Sequence, residues 1–204
     1  MSKINEIRKF IQQIIDKKYD VEEGKTALMG ALQKFFPGFN QNSLKGLDIN
    51  RVLVEFENWL VSTITQDPMP TSAKTIWFCH VDNSITDGVP GPVPEIQLVM
   101  TASKYQISDK PNDWYMNKLW EPQSKQSELK AYKTLSNSLK SFDGKMNEVV
   151  ELLFNSLTAL LIINGFDIIK HEFLLYQPEM KLACGSEGND YYIIGTLTEE
   201  GIIN

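Results

Sequence analysis

One stretch constrains this chain more than any other. Between Val149 and Ile163, 11 of 15 residues are apolar, with Glu151 and Asn155 set among them. Fifteen residues fall short of the roughly 20 that a bilayer core requires, so the stretch reads as a buried helix with no membrane span. A buried helix needs other layers to lie against. The chain can supply them: 204 residues, 42% of them apolar, are enough for one core without disulfide or metal staples, and a single domain is expected.

The rest of the sequence divides by periodicity. Ile4, Ile7, Ile11 and Ile14 recur at helical spacing behind Ser2, a candidate N-cap, and give a first helix ending near Tyr19. Leu28, Leu32 and Phe35 mark a second helix over about 22–36, stopped by Pro37-Gly38. Asp48 caps a third, on which Val52, Phe56, Leu60 and Ile64 align. Residues 1–66 are therefore helical. After the breaker Asp67-Pro68-Met69-Pro70, the β-branched and aromatic run Lys74–Val81 and the run Glu95–Ile107 read as a hairpin over 74–107. The Gly/Pro-rich loop 87–94 joins them, as a lid or a connector. A helix pair is expected over 127–163, ended by Asn164-Gly165 in a left-handed turn, and a C-terminal hairpin over 168–197 with strands at 168–176 and 191–197. The expected fold is α+β: N-terminal helices plus an antiparallel or mixed sheet of about four strands, covered by a helix pair.

Charge and cysteine usage narrow the function classes. Net charge is −6, rising in acidity along the chain from +1 over 1–66 to −2 over 67–126 and −5 over 127–204. That balance argues against a nucleic-acid partner, which needs a basic footprint. Charges at Lys3, Glu6, Arg8 and Lys9 interrupt the N-terminal apolar pattern, so no signal peptide is expected there. Cys79 and Cys184 stand 105 residues apart in no metal-type spacing and read as two buried reduced thiols. A cytoplasmic protein without membrane attachment is the simplest expectation.

Sequence motifs for phosphate cradles, nucleophile elbows and zinc proteases are absent, and no cofactor is expected. Only His80 and His171 are available for histidine chemistry. On a strand, His80 and Asp82 share one face while Cys79 points to the other, so an imidazole–carboxylate unit completed by His171 or Asp87 is the arrangement a hydrolase would use. A zinc version would draw on His80, Asp82, His171 and Cys184, whose spacing matches no metal signature. The alternative candidates are Asp113, Trp114, Tyr115, Trp120 and Glu121, since rigid aromatics beside charges make protein-binding anchors. Equally, these aromatics can pin a long connection to the core.

In size, acidity and element order the chain resembles the small immunity proteins that bacteria carry against their neighbours' toxins. That resemblance implies a non-enzymatic domain that neutralises a basic protein partner, with affinity guided by charge and fixed by an aromatic anchor. The sequence favours this reading over the hydrolase built on His80 and Asp82.

Overall fold

The computed structural model describes residues 2–84, 94–105, 118–123, 127, 129–140, 142, 144–175, 177–186 and 191–203. Helices α1 (Lys3–Lys17), α2 (Val21–Phe35), the short α3 (Asn42–Lys45) and α4 (Ile49–Gln66) come first. The Asp20 carboxylate opens α2 by accepting from the Glu22 and Glu23 amides at 2.9 Å, and Asp48 opens α4 by accepting from the Arg51 amide at 3.1 Å. Ser2 stands at the N-cap of α1, but its side chain makes no capping bond.

Strands β1 (Thr75–Asp82), β2 (Ile96–Ser103) and β3 (Lys118–Trp120) follow, then helices α5 (Lys130–Leu139) and α6 (Met146–Leu174), then β4 (Met180–Ser186), β5 (Tyr191–Thr198) and β6 (Gly201–Ile203). The six strands form one mixed sheet in the order β3-β2-β1-β4-β5-β6. β1 pairs antiparallel with β2 and parallel with β4, so the α5–α6 segment lies within the long crossover between two neighbouring strands. The fold is thus α+β, with a mixed sheet packed against helices.

Helix α6 is the middle layer. It contacts α1, α2 and α4 on one side and β4, β5 and β6 on the other. Every residue from Leu152 to Ile163 is buried, as expected of a helix that is apolar around its whole circumference. By length and composition α6 could cross a bilayer, yet 83% of its most apolar window is buried inside the fold. The opposite face of the sheet carries a second, smaller cluster of Trp77, Cys79, Val99 and Ala183.

Two expectations are corrected. Asn164-Gly165 does not end α6, and 168–174 is helical rather than a strand. The pair is a packing feature: a Cβ on Gly165 would lie 3.1 Å from the Phe56 ring, and the Asn164 amide donates to Leu160 O at 2.8 Å and Tyr19 O at 3.1 Å. Beyond it Phe166, Ile169 and Phe173 turn inward at helical spacing. The sheet also has six strands rather than about four. β3 and β6 are three residues each, too short to show alternation, and β4 has no β-branched or aromatic residue among Met180–Ser186. Its position between β1 and β5 supplies what its propensity does not.

Close helix packing yields a paired prediction on α2. A Cβ on Gly24 would sit 2.1 Å from Leu160 of α6, whereas one on Gly30 meets nothing. Gly30→Ala is expected to stabilise by about 0.5–1 kcal/mol through helix propensity. Gly24→Ala is expected to destabilise by about 1–3 kcal/mol through overpacking against a fully buried leucine. Urea unfolding midpoints of the two variants, at unchanged slope, check both signs.

Candidate functional site

The interior of the helix–sheet sandwich contains a polar seam. Glu151, Asn155 and Thr158 recur on α6 at spacings of four and three, which places them on one helical face. That face meets His80 of β1, Tyr132 of α5 and Tyr192 of β5. His80 Nε2 lies 2.6 Å from Thr158 Oγ1, and Tyr132 Oη lies 2.5 Å from the same oxygen. Thr158 donates its one hydroxyl hydrogen to Phe154 O at 2.8 Å. Both His80 and Tyr132 must then donate to Thr158, which assigns His80 as the Nε2–H tautomer. At the other end of the seam Tyr192 donates to Glu151 Oε1 at 2.5 Å. Asn155 lies between the two ends, close enough to perturb both His80 and Glu151, with neither amide atom in hydrogen-bond geometry.

Burial dominates the electrostatics of the seam. It pushes the His80 pKa down to about 3, with the Asn155 amide opposing, so the imidazole is neutral. It pushes the Glu151 carboxyl up, against the pull of Tyr192, Arg8 and Asn155. The Tyr132 hydroxyl and the Cys184 thiol are raised for the same reason. Polar groups joined by hydrogen bonds in this apolar interior fix how α6 sits on β1 and α5, because a slip of either would orphan several polar atoms at once.

The residues singled out in the sequence are not gathered into one place. His80 is 4% exposed and packs against the rings of Tyr132 and Phe154. Asp82 ends β1, and its Oδ1 accepts from the Ser84 and Glu95 amides at 2.9 Å, tying the open end of the β1–β2 pair. No hydrogen bond joins the two among the described residues. His171 is exposed on the last turn of α6, thirteen residues or roughly 20 Å along the helix from Thr158. Cys79 and Cys184 are both buried and form no disulfide; Cys79 belongs to the outer cluster and Cys184 to the main core. Among the described residues no three metal-ligating side chains converge.

The aromatic group divides as well. Asp113, Trp114 and Tyr115 lie outside the described residues. Trp120 is 7% exposed and belongs to the main core, while Glu121 is exposed and pairs with Lys118 at 3.2 Å. The loop 87–94 lies outside the description except for Pro94.

Sequence reasoning missed a second feature, at the β6 edge. Lys18 Nζ donates to Ile202 O, Asn164 donates to Tyr19 O, and Asp167 Oδ1 lies 2.8 Å from where a Cβ on Gly201 would be. These contacts set the segments that carry Asp20, Asp167 and the β5–β6 turn residues Glu199 and Glu200, all exposed, against one another, with Lys18 among them. Two large exposed apolar residues, Ile168 and Ile203, belong to the same segments. The acids are dispersed in sequence, so only the fold assembles them. Compared with family models, curated proteins and solved structures, the chain matches none.

The seam predicts a pH dependence of stability. Unfolded, His80 takes up a proton near pH 6.5; folded, it does so only near pH 3. Across that window the unfolded state binds more protons, so stability falls as pH falls, by on the order of 5 kcal/mol in total. Glu151 acts in the other sense: its raised pKa contributes stability at low pH that is lost as pH rises. His80→Gln, which keeps a donor for Thr158, is expected to remove most of the acid-side decline. Urea unfolding at a series of pH values between 3 and 7 measures the change in slope.

Proposed function

We propose that this chain is a non-enzymatic protein-binding domain that holds a basic protein partner against its β6 edge. The observation that carries the reading is the convergence there of Asp20, Asp167, Glu199 and Glu200 beside exposed Ile168 and Ile203. Exposed carboxylates steer a cationic partner and set its orientation, and apolar area that loses water on contact supplies affinity. A small edge strand favours side-chain recognition over strand addition. β6 has only three residues, and its outward carbonyl at Ile202 is already taken by Lys18.

The interior supports the same choice. His80 is neutral and enclosed, and its ring hydrogen bond goes to Thr158. General acid–base work needs a group within hydrogen-bond reach of a substrate proton. In this reading the seam is architecture, the two buried thiols stay reduced in a cytoplasmic setting, and the net charge of −6 serves association.

Reversing the charge at this edge tests the reading. Affinity capture from a lysate of the source cells, read by mass spectrometry, is expected to enrich one basic protein with the unaltered chain. The triple variant Asp167→Lys/Glu199→Lys/Glu200→Lys, folded to the same unfolding midpoint within about 1 kcal/mol, is expected to lose it at least tenfold. Equal capture by the triple variant would move the surface elsewhere, and an enriched partner that is acidic would overturn the proposal.

A further inference from the structure

A cleft of about 440 Å³ opens between the start of β2 and helix α5, on the other side of the molecule's chemistry from the β6 edge. Its size falls in the range of small-molecule sites. Three observations about its walls have no account in the fold. Lys130 and Lys133, three residues apart on α5, and Lys140 at its C-cap line it, and none of them is in an ion pair among the described residues. The N-terminus of α5 is open: Leu129 stands at the N-cap position and no side chain caps the helix. A lysine in the first turn also opposes the helix dipole, so Lys130 is not placed there for helix stability.

The third observation concerns hydroxyls. Ser127 is 6% exposed and lines the cleft, and its Oγ has no hydrogen-bond partner. A buried hydroxyl left without a partner is destabilising unless something satisfies it. Ser136, equally buried in the same wall, accepts from the Ile96 amide at 3.1 Å, which leaves its own hydrogen to be donated. Two buried hydroxyls, an uncapped helix start and three ammonium groups form a donor-rich wall. Helix N-termini and lysines both suit phosphate, the lysines as point charges. Glu95 is the one carboxylate among the described lining residues.

We propose that this cleft binds a phosphate-bearing small molecule, its phosphate held by Ser127, Lys130 and Lys133 at the open start of α5 and its organic body laid across Ile96 and Tyr132. The site is independent of the protein-binding reading, since it shares no residue with the β6 edge.

Calorimetric titration of the full chain with phenyl phosphate, inorganic phosphate and phenol tests it. Phenyl phosphate at millimolar concentrations is expected to bind saturably at one site, more tightly than inorganic phosphate, with no saturation by phenol. Lys130→Gln/Lys133→Gln is expected to weaken binding at least about tenfold, and Ser127→Ala several-fold, while Glu95→Gln tightens it. Lys17→Gln/Lys170→Gln removes the same charge at a distance and is expected to leave binding unchanged. Absence of saturable phenyl phosphate binding would overturn the proposal. So would equal weakening by the remote lysine pair, which would mean attraction by net charge alone. Inorganic phosphate binding as tightly as phenyl phosphate would overturn the organic ligand.

Discussion

Everything in this fold answers to the burial of α6. A helix whose residues 152–163 are all buried must be covered around its circumference, and a sheet covers only one side. The amphipathic helices α1, α2 and α4 cover the other. Their own apolar stripes, such as Ile7, Ile11 and Ile14 on α1, have α6 as their common counterpart. Each burial of a leucine- or phenylalanine-sized side chain contributes roughly 1.5–3 kcal/mol, so the middle layer is where most of the driving force lies. The cost is specificity, because an apolar rod can rotate and slide against greasy neighbours. Glu151 and Thr158 remove that freedom by requiring partners that only one register offers: Tyr192 for Glu151, and His80 and Tyr132 for Thr158.

How much of this was legible before folding follows from the range of each signal. Helices α1, α2 and α4 were readable because their stripes and caps are local; Asp48 does at α4 what its position suggests. The first hairpin was readable from its β-branched and aromatic content. The C-terminal third was harder. Asn164-Gly165 has the composition of a helix stop, but the missing Cβ of Gly165 admits Phe56 and the Asn164 amide reaches Tyr19, so tertiary contacts hold the helix through it. The inward spacing of Phe166, Ile169 and Phe173 was the available signal that the helix continues. β4 was invisible to propensity, since its strand character comes from the two neighbours it pairs with.

The candidate sites were less legible than the fold. His80 and Asp82 alternate correctly on β1, yet same-face spacing says nothing about what faces them. Thr158 took the ring, and the turn amides of Ser84 and Glu95 took the carboxylate. The polar positions on α6 carried a usable signal, because Glu151 and Thr158 on one face of its apolar stretch call for partners. The acids at the β6 edge carried none. Asp20, Asp167, Glu199 and Glu200 come from three remote segments, and only Lys18, Asn164 and Gly201 bring those segments together.

The sheet also sorts charge. Helix α5, with Lys130 and Lys133 on it and Lys140 at its C-cap, packs on β2, while exposed Asp167, Glu199 and Glu200 lie on the segments around β6, four strand spacings or roughly 19 Å across the sheet. That distance exceeds the Debye length of about 8 Å at physiological salt, so each surface presents its own field to solvent. A net charge of −6 is a sum over the whole chain and does not describe either surface by itself. An acidic protein whose lysines were merely for solubility would intersperse them with acids, as the Lys118–Glu121 and Lys145–Glu148 pairs do elsewhere on this chain. Lys130, Lys133 and Lys140 depart from that pattern, with no acid between them from Lys130 to Lys140. The separation means that a charge placed at either surface is largely screened from the other at physiological salt.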